Sequence, residues 1–206
     1  MTLDSLFEKL KHPNPNIRQV AQFEIAEQRD ENTIPQLMAN LENEDMVYRR
    51  ASVKTLGAIG HDSVPSLIKT LKTSDDATVK ASCAKALAQV AVMHADKDFP
   101  QEGIEGLRHG VKDDNPVVHI SSVMALGAIG KPALDVLIES LETTENIAVG
   151  VATLNALGGI KDERAKEKLI QFSEDTSADP YLQETAVSAL SRWEMIVKFA
   201  RDKPSS

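Results

Sequence analysis

The sequence predicts an all-α fold, a right-handed α-solenoid in which about six helical hairpins follow one another along the chain. Two observations predict it. The chain of 206 residues repeats itself at intervals of 30 or 31 residues, and Ala, Leu and Val supply most of its apolar side chains. Aromatic residues make up only 4% of the chain. Because this composition suits closely packed helices, and a repeat of this length holds one helical hairpin, the repeat decides the fold class.

The second helix of each hairpin is marked by two apolar residues eight positions apart. The segment 48–60 recurs as 118–130, and the same spacing is found in all six copies. The first apolar residue of each copy is called position 0 below, and the second is position 8. Position 0 is Ile17, Tyr48, Val79, Val118, Val149 and Leu182, and position 8 is Ile25, Leu56, Leu87, Leu126, Leu157 and Leu190. This spacing puts both residues on one face of a helix.

The start of each second helix is marked by a side chain that accepts hydrogen bonds. Three residues before position 0 stand Asn14, Asp45, Asp76, Asn115, Asn146 and Asp179. Such side chains accept from the free amides at a helix N-terminus. Pro15, Pro116 and Pro180 follow three of them, where a missing N–H costs nothing. The sequence therefore predicts six capped helices.

A second apolar stripe precedes each of the first five caps and marks the first helix of the hairpin. Its members are Leu3/Leu6/Leu10, Ile34/Leu37/Leu41, Val64/Leu67/Leu71, Ile104/Leu107/Val111 and Leu134/Leu137/Leu141. Offsets of three and four place each set on one helix face. The sixth first helix, near residues 165–172, is irregular, as expected of a terminal repeat. Glycines 57, 60, 127 and 130 are interpreted as helix caps and not as a phosphate-binding loop.

The domain prediction is one repeat domain over residues 1–200. The leucine spacing widens from 31 to 39 residues between Leu87 and Leu126, which indicates an insertion near residues 92–101. Residues 201–206 are predicted to be a disordered tail.

Charge and hydropathy exclude several classes of partner. The formal charge of -8 argues against a nucleic-acid backbone as the main partner, because phosphate binding needs a basic surface. Since no apolar run reaches membrane-spanning length and residues 1–10 do not resemble a signal peptide, we expect no membrane span and a cytoplasmic protein. The single cysteine, Cys83, is expected to be buried and to form no internal disulfide.

The chain shows no recognisable catalytic or metal-binding motif. Its five histidines lie in different repeats or loops, without metal-ligand spacing, and no His-Glu pair occurs. We therefore predict no metal site and assign no catalytic residue.

Positions 2 and 6 of the second helices are expected to line the concave surface of a helical solenoid. In the second and third repeats these positions hold Arg50, Lys54 and Lys85, and in the fourth and fifth they include the residues Ile120, Met124, Val151 and Asn155. An apolar strip beside basic groups suits a ligand or partner with an apolar body and carboxylates. The alternative is that a tightly curved groove hides these side chains.

Two further features have a structural and a functional interpretation. Position 1 holds Arg18, Arg49 and Lys80, and we expect these cations to pair with Asp45 or Asp76 of adjacent repeats in a stabilising ladder. Trp193, the only tryptophan, is expected either to seal the last repeat or to dock another protein.

The repeat unit resembles the short HEAT-like repeat of the E/F-type phycobilin lyases, above all the phycoerythrin-side members. The residues that carry this resemblance are 48–60, 82–89 and 116–130. It implies a cyanobacterial or red-algal protein that participates in attaching a bilin, through a thioether, to a cysteine of a phycobiliprotein subunit. It also implies a partner E/F-type lyase subunit. The bilin, phycoerythrobilin for the phycoerythrin side, is expected as a transient ligand, with no permanently bound cofactor.

Two functions from different classes stay open at this point. The first is a component of bilin attachment, either a lyase subunit or a chaperone for the lyase or its substrate. The second is a non-enzymatic adaptor for protein assembly with no role in pigment attachment. The repeat specifies the fold far better than the activity.

Overall fold

The structure, a computed structural model, describes the backbone of residues 2–201 and the side chains of residues 2–199. Short 3-10 turns follow α3, α4 and α8, and no strand occurs among the described residues. The helices form six successive pairs, so the all-α, hairpin-repeat prediction is confirmed. They are α1 (Leu3–Lys9), α2 (Pro15–Gln28), α3 (Thr33–Ala39), α4 (Met46–Ile59), α5 (Val64–Thr73), α6 (Ala77–Met93), α7 (Gln101–Gly110), α8 (Pro116–Ile129), α9 (Leu134–Thr143), α10 (Ile147–Leu157), α11 (Glu163–Glu174) and α12 (Pro180–Arg201).

All six predicted caps accept a hydrogen bond from a backbone amide of the second helix. The carboxylate of Asp45 accepts from the amides of Val47 and Tyr48, at 2.8 and 3.4 Å. The other five do the same in their own helices. This hydrogen bond satisfies amides that have no partner within the helix, so each second helix begins where its cap lies.

A further polar residue, two positions before the cap, fixes the approach to five of these helices. It accepts a hydrogen bond from the amide of the cap residue itself, and it is His12, Asn43, Ser74, Asp113 or Thr144. These five side chains hold the turn before each helix against the cap residue.

The chain divides into two compact units, and the boundary falls within α8. In unit 1, Met1–Ala125, α2 contacts α4 and α4 contacts α6, while α3 contacts α5 and α5 contacts α7. Most side chains of the predicted apolar stripes of the first helices are buried, as Leu67 and Leu71 of α5 illustrate, whereas Leu3 and Ile34 are half-buried. Burial of one such side chain is worth about 1.5–3 kcal/mol, which holds the two helix layers together.

Unit 2, Leu126–Ser206, repeats this arrangement on a smaller scale. Helix α10 contacts α9 and α12, and α11 contacts α12. The irregular first helix expected near residues 165–172 is α11, in which Ala165 and Leu169 form the buried stripe. The single-domain prediction for residues 1–200 is not tested and stays a prediction. Residues 202–206 of the predicted tail lie outside the described residues.

The glycines of the repeat have two roles, and one of them differs from the prediction. Gly60 and Gly130 have φ angles of 85° and 80°, and they end α4 and α8 in a conformation that other residues rarely adopt. Gly57 and Gly127 lie inside those helices and are not caps. A Cβ atom on Gly57 would lie 2.3 Å from the Cβ of Gln89, so this glycine allows α4 and α6 to approach closely.

The predicted ion-pair ladder is wrong about its partners. The carboxylates of Asp45 and Asp76 are occupied by the first amides of α4 and α6. The guanidinium of Arg49 donates instead to a backbone carbonyl in the turn before α4. The ammonium of Lys80 lies 2.8 Å from a carboxylate oxygen of Asp113, in the next hairpin. The cap geometry explains this difference, because each cap carboxylate lies within hydrogen-bond distance of the first amides of its own helix.

The segment that the sequence marks as an insertion connects α6 to α7. Helix α6 continues to Met93, and residues 94–100 lead to α7. The side chain of His94 turns back to the end of α4, where its Nε2 lies 3.2 Å from the carbonyl oxygens of both Gly57 and Ala58. The connection is thereby held against the preceding hairpin of unit 1.

Candidate ligand-binding groove

Two adjoining cavities of unit 1 lie along the second helices α2, α4 and α6. Together they are called the basic groove, because Arg50, Lys54 and Lys85 lie on their walls. Arg50 and Lys54 of α4 line both cavities, and so does Gln89 of α6. The structure therefore brings together the three basic residues that the sequence placed on the concave surface.

The first cavity has a volume of about 390 Å³ and lies between α2 and α4. Its apolar lining includes Phe23, Val47 and Met93, with the polar side chains of Gln19 and Gln22. Phe23 is 49% exposed and Val47 is 41% exposed, although both are large and apolar. Exposed apolar surface in a concave site favours a ligand with an apolar body.

The second cavity, of about 400 Å³, lies between α4 and α6. Met46 and Val53 supply its apolar surface, and Lys85 and Thr78 stand on the α6 side. Neighbouring cavities that share Arg50 and Lys54 form one elongated surface with charge at its centre and apolar side chains around it.

The cations of the groove carry no compensating charge. Arg50, Lys54 and Lys85 are all exposed. None of the three makes a hydrogen bond or an ion pair with another described residue. The side chains that line the groove include no carboxylate. In a chain of net charge -8, a cluster of unpaired cations is a local positive potential that attracts anionic groups.

The other predicted groove residues lie outside both cavities. Ile120 and Met124 are on α8, where Met124 is 62% exposed and Ile120 is half-buried. Val151 and Asn155 belong to α10 of unit 2. The Asn155 amide oxygen accepts a hydrogen bond from Arg192 at 2.7 Å. The contribution of these four residues to ligand binding stays a prediction.

The apolar surface beside the basic residues comes from side chains that the sequence interpretation did not select. These side chains are Phe23 of α2, Met46 and Val47 in the first turn of α4, and Met93 of α6. Phe23 stands at position 6 of its repeat, as Lys54 and Lys85 do. Its place on the wall of the groove could therefore have been predicted from the repeat. Met93 lies beyond the regular repeat, at the end of the lengthened α6, and no positional rule points to it.

Trp193 is buried inside unit 2. Only 4% of the residue is exposed, and its indole N–H donates to the carbonyl oxygen of Ile160 at 2.7 Å. The ammonium of Lys166 lies 5.2 Å from the ring centroid. In this structure the ring packs α12 against the end of α10, and its use as a docking site for a partner stays a prediction.

The single cysteine of the chain, Cys83, lies in the core. Burial raises the pKa of the Cys83 thiol to about 12, so it is neutral at physiological pH. No group of three or more His, Cys, Asp or Glu side chains able to hold a metal ion occurs among the described residues. Nor do those residues include a helix that could cross a bilayer.

Comparison with known proteins supports the repeat assignment and gives the family. A family model described as HEAT repeats matches residues 3–88 and 104–191. The "Bilin biosynthesis protein CpeZ" of Synechococcus sp. (strain WH8020) is 31% identical over 174 residues, which cover 82% of this chain and 93% of CpeZ. The chain belongs to the HEAT-repeat family, in the branch that contains CpeZ. The resemblance of its repeat unit to the E/F-type phycobilin lyases is thereby confirmed.

A second relative matches nearly the full length of the chain. The "Uncharacterized phycocyanin operon protein Z" of Pseudanabaena tenuis (strain PCC 7409) is 49% identical over 202 residues, covering 98% of this chain and 100% of that protein. The two relatives are named for different pigment proteins or pathways.

Solved structures show the same fold at low sequence identity. The complex of CpcE and CpcF of phycocyanin lyase from Nostoc sp. PCC7120 has a chain with a TM-score of 0.51 at 21% identity, covering 75% of this chain and 96% of that one. An engineered protein gives a TM-score of 0.52 at 21% identity, with coverage of 95% and 100%. These likenesses support a HEAT or armadillo-like helical repeat fold.

Proposed function

We propose that this CpeZ-branch protein assists the covalent attachment of a bilin to a cysteine of a phycobiliprotein subunit. The observation that carries the proposal is the 31% identity, along 93% of its length, to a protein named for bilin biosynthesis. The 49% identity to a phycocyanin operon protein supports the same pigment context.

The basic groove suits the chemistry of a bilin. A bilin is an open-chain tetrapyrrole with a conjugated, largely apolar body and two propionates. The body fits against Phe23, Val47 and Met93, while the propionates pair with Lys54 and Lys85. Charge-assisted hydrogen bonds to carboxylates are the strong ones in proteins, and these two cations have no competing partner among the described residues.

A chaperone-like role fits the groove better than independent catalysis. Thioether formation requires a proton to be moved from the acceptor thiol and to the bilin, a task for an acid–base group near the reacting atoms. The groove lining contains no carboxylate, imidazole or thiol. The protein is proposed to hold and present the bilin or the acceptor, while a second E/F-type lyase subunit supplies the catalytic groups.

A partner subunit is part of the proposal. The similar fold in the phycocyanin lyase structure occurs in a complex of two chains, CpcE and CpcF. By analogy, this chain acts with an E/F-type subunit on a phycobiliprotein, and phycoerythrobilin on phycoerythrin is the first combination to test. Because the 49% relative comes from a phycocyanin operon, a phycocyanin subunit is the second acceptor.

Co-expression tests the function directly. An acceptor subunit, a bilin synthesis pathway and the partner lyase are expressed with or without this chain, and bound bilin is measured by zinc-enhanced fluorescence of the purified acceptor. We expect more bound bilin when the chain is present, for one of the two acceptors. If the bilin yield is the same with and without it for both acceptors, the proposal fails and an adaptor without a pigment role is favoured.

A further inference from the structure

The outer face of α12 is an exposed stripe centred on Ser191. At about 100° per residue, Glu184, Val187, Met195 and Lys198 all lie within about 40° of Ser191 around the helix axis. All five side chains are exposed, and the exposed fractions of Val187 and Met195 are 52% and 55%. The opposite face of α12 holds the buried contacts of unit 2.

The same face is covered in earlier second helices. Val187 stands at position 5, where Val53, Ala84 and Leu154 are 8%, 0% and 0% exposed. Ser191 stands at position 9, where a Cβ atom on Gly158, the residue that follows α10, would lie 3.0 Å from the Cβ of Ala189 in α12. Helix α12 thus keeps residue types that are covered in the earlier second helices, although its own stripe is exposed among the described residues.

The stripe has charges arranged symmetrically about its centre. Glu184 and Lys198 each stand seven residues from Ser191, and Val187 and Met195 each stand four residues from it. A second α12 that crosses antiparallel at Ser191 therefore brings Glu184 opposite Lys198 of the second copy, and the same pair forms again by symmetry. Neither side chain makes an ion pair within the described residues of its own chain.

Stacking of one chain end to end on another is disfavoured by the first repeat. Position 7 faces the preceding second helix and is small in every later repeat: Thr55, Ala86, Ala125, Ala156 and Ala189. In α2 the same position is Glu24. If α2 of a second copy were stacked on α12, this carboxylate would be removed from water at a position that is small and uncharged in every later repeat, which is costly.

We propose that α12 is a homodimer surface, in which two copies of the chain pack their α12 helices antiparallel about a two-fold axis at Ser191. The small Ser191 side chain allows close approach, Val187 packs on Met195 of the second copy, and the two Glu184–Lys198 pairs fix the antiparallel direction. This inference does not rest on the proposed bilin function, because it uses neither the basic groove nor a pigment.

Cysteine cross-linking of the full-length protein tests the axis. Oxygen with copper–phenanthroline oxidises two neighbouring thiols to a disulfide, and the native Cys83 is buried and does not compete. Ser191→Cys should give a disulfide-linked dimer, because residue 191 meets its own symmetry copy. Glu184→Cys is the matched control, since two copies of residue 184 stand about 21 Å apart along the antiparallel helices. Equal cross-linking of both variants, or of neither, overturns the proposal.

Charge reversal tests the pairing by light scattering coupled to gel filtration. The unaltered chain should rise from its monomer mass of 22.4 kDa toward twice that value as its concentration is raised. Glu184→Lys or Lys198→Glu alone should lower the dimer fraction at least about tenfold, and the double variant should restore it. A chain that is monomeric at every concentration, or a double variant no better than the single ones, contradicts the homodimer. Association only with a different HEAT-repeat chain through α12 contradicts it as well.

Discussion

Lys80 and Asp113 join the third helical hairpin to the fourth, with the ammonium nitrogen 2.8 Å from a carboxylate oxygen. Their side chains are only 21% and 16% exposed, so the pair is shielded from water. Asp113 also accepts a hydrogen bond from the amide of Asn115, the cap of α8. One carboxylate therefore links two repeats of unit 1 and fixes the start of a helix.

Removing this carboxylate should destabilise the protein more than removing its neighbour. We expect Asp113→Asn to lower the free energy of unfolding by about 1.5–3 kcal/mol, because a charge-assisted hydrogen bond is lost and Lys80 is left unpaired. Asp114→Asn, at an exposed position, is the control and should change it by less than about 0.5 kcal/mol. Urea unfolding followed by circular dichroism measures both. Equal effects of the two substitutions would show that the Lys80–Asp113 pair contributes nothing.

The same pair gives a pH dependence with a defined sign. Burial works to raise the pKa of Asp113, but the hydrogen bonds from Lys80 and from the Asn115 amide outweigh it, and the pKa is lowered. A carboxyl whose pKa is lower in the folded state stabilises the protein above its unfolded pKa, and this contribution is lost as the pH falls through the folded value. The stability difference between the unaltered chain and Asp113→Asn should therefore be full at pH 7 and shrink below about pH 4. A difference that grows on acidification would contradict this assignment.

Gly57 should not tolerate even one added methyl group. An alanine Cβ there would meet the Gln89 Cβ at 2.3 Å, so Gly57→Ala forces α4 and α6 apart and should cost about 1–3 kcal/mol. Gly159→Ala is the matched control, because its nearest neighbour would be the Ala156 carbonyl oxygen at 3.4 Å. Thermal unfolding should show a lowered midpoint for the first variant alone. A midpoint unchanged in Gly57→Ala would mean that the two helices separate without cost.

Trp193 should stabilise unit 2 through its N–H as well as its ring. Trp193→Phe retains an apolar ring but leaves the Ile160 carbonyl without its donor, so we expect a loss of about 1–3 kcal/mol. Trp193→Ala also leaves a cavity and should cost about 3–5 kcal/mol. Chemical unfolding of the two variants gives the comparison. If both variants are as stable as the unaltered chain, the ring is not a structural element.

The sequence predicted local features of the fold well, because they depend on neighbours along the chain. An acceptor three residues before position 0 caps its helix whatever packs around it, and all six caps are found. The partner of Lys80 was predicted wrongly, since it depends on how the turn of the next hairpin approaches α6. Likewise, the position of Gly57 near the end of its helix predicted a cap. Its actual role, which is to let α4 and α6 approach closely, depends on the contact with Gln89.

The groove was predictable in part for the same reason. Arg50, Lys54 and Lys85 share the positions that face one side of the second helices, and they do line adjoining cavities. The apolar lining depends on Met93, which reaches the first cavity because α6 extends past the regular repeat length. The repeat pattern does not predict where the side chain of Met93 lies, because this residue has no equivalent position in the other repeats.

Reversing the charge of the basic groove tests whether the groove takes part in bilin attachment, and the measured quantity is the yield of bound bilin. In co-expression with the acceptor and the partner lyase, Lys54→Glu/Lys85→Glu should lower bound bilin to near the level without this chain, because carboxylates would face the propionates. Lys69→Glu/Lys72→Glu makes the same change of charge at exposed positions of α5 and should leave the yield unchanged. Full bilin attachment with the Lys54/Lys85 variant, at equal protein level, would contradict the role of the basic groove.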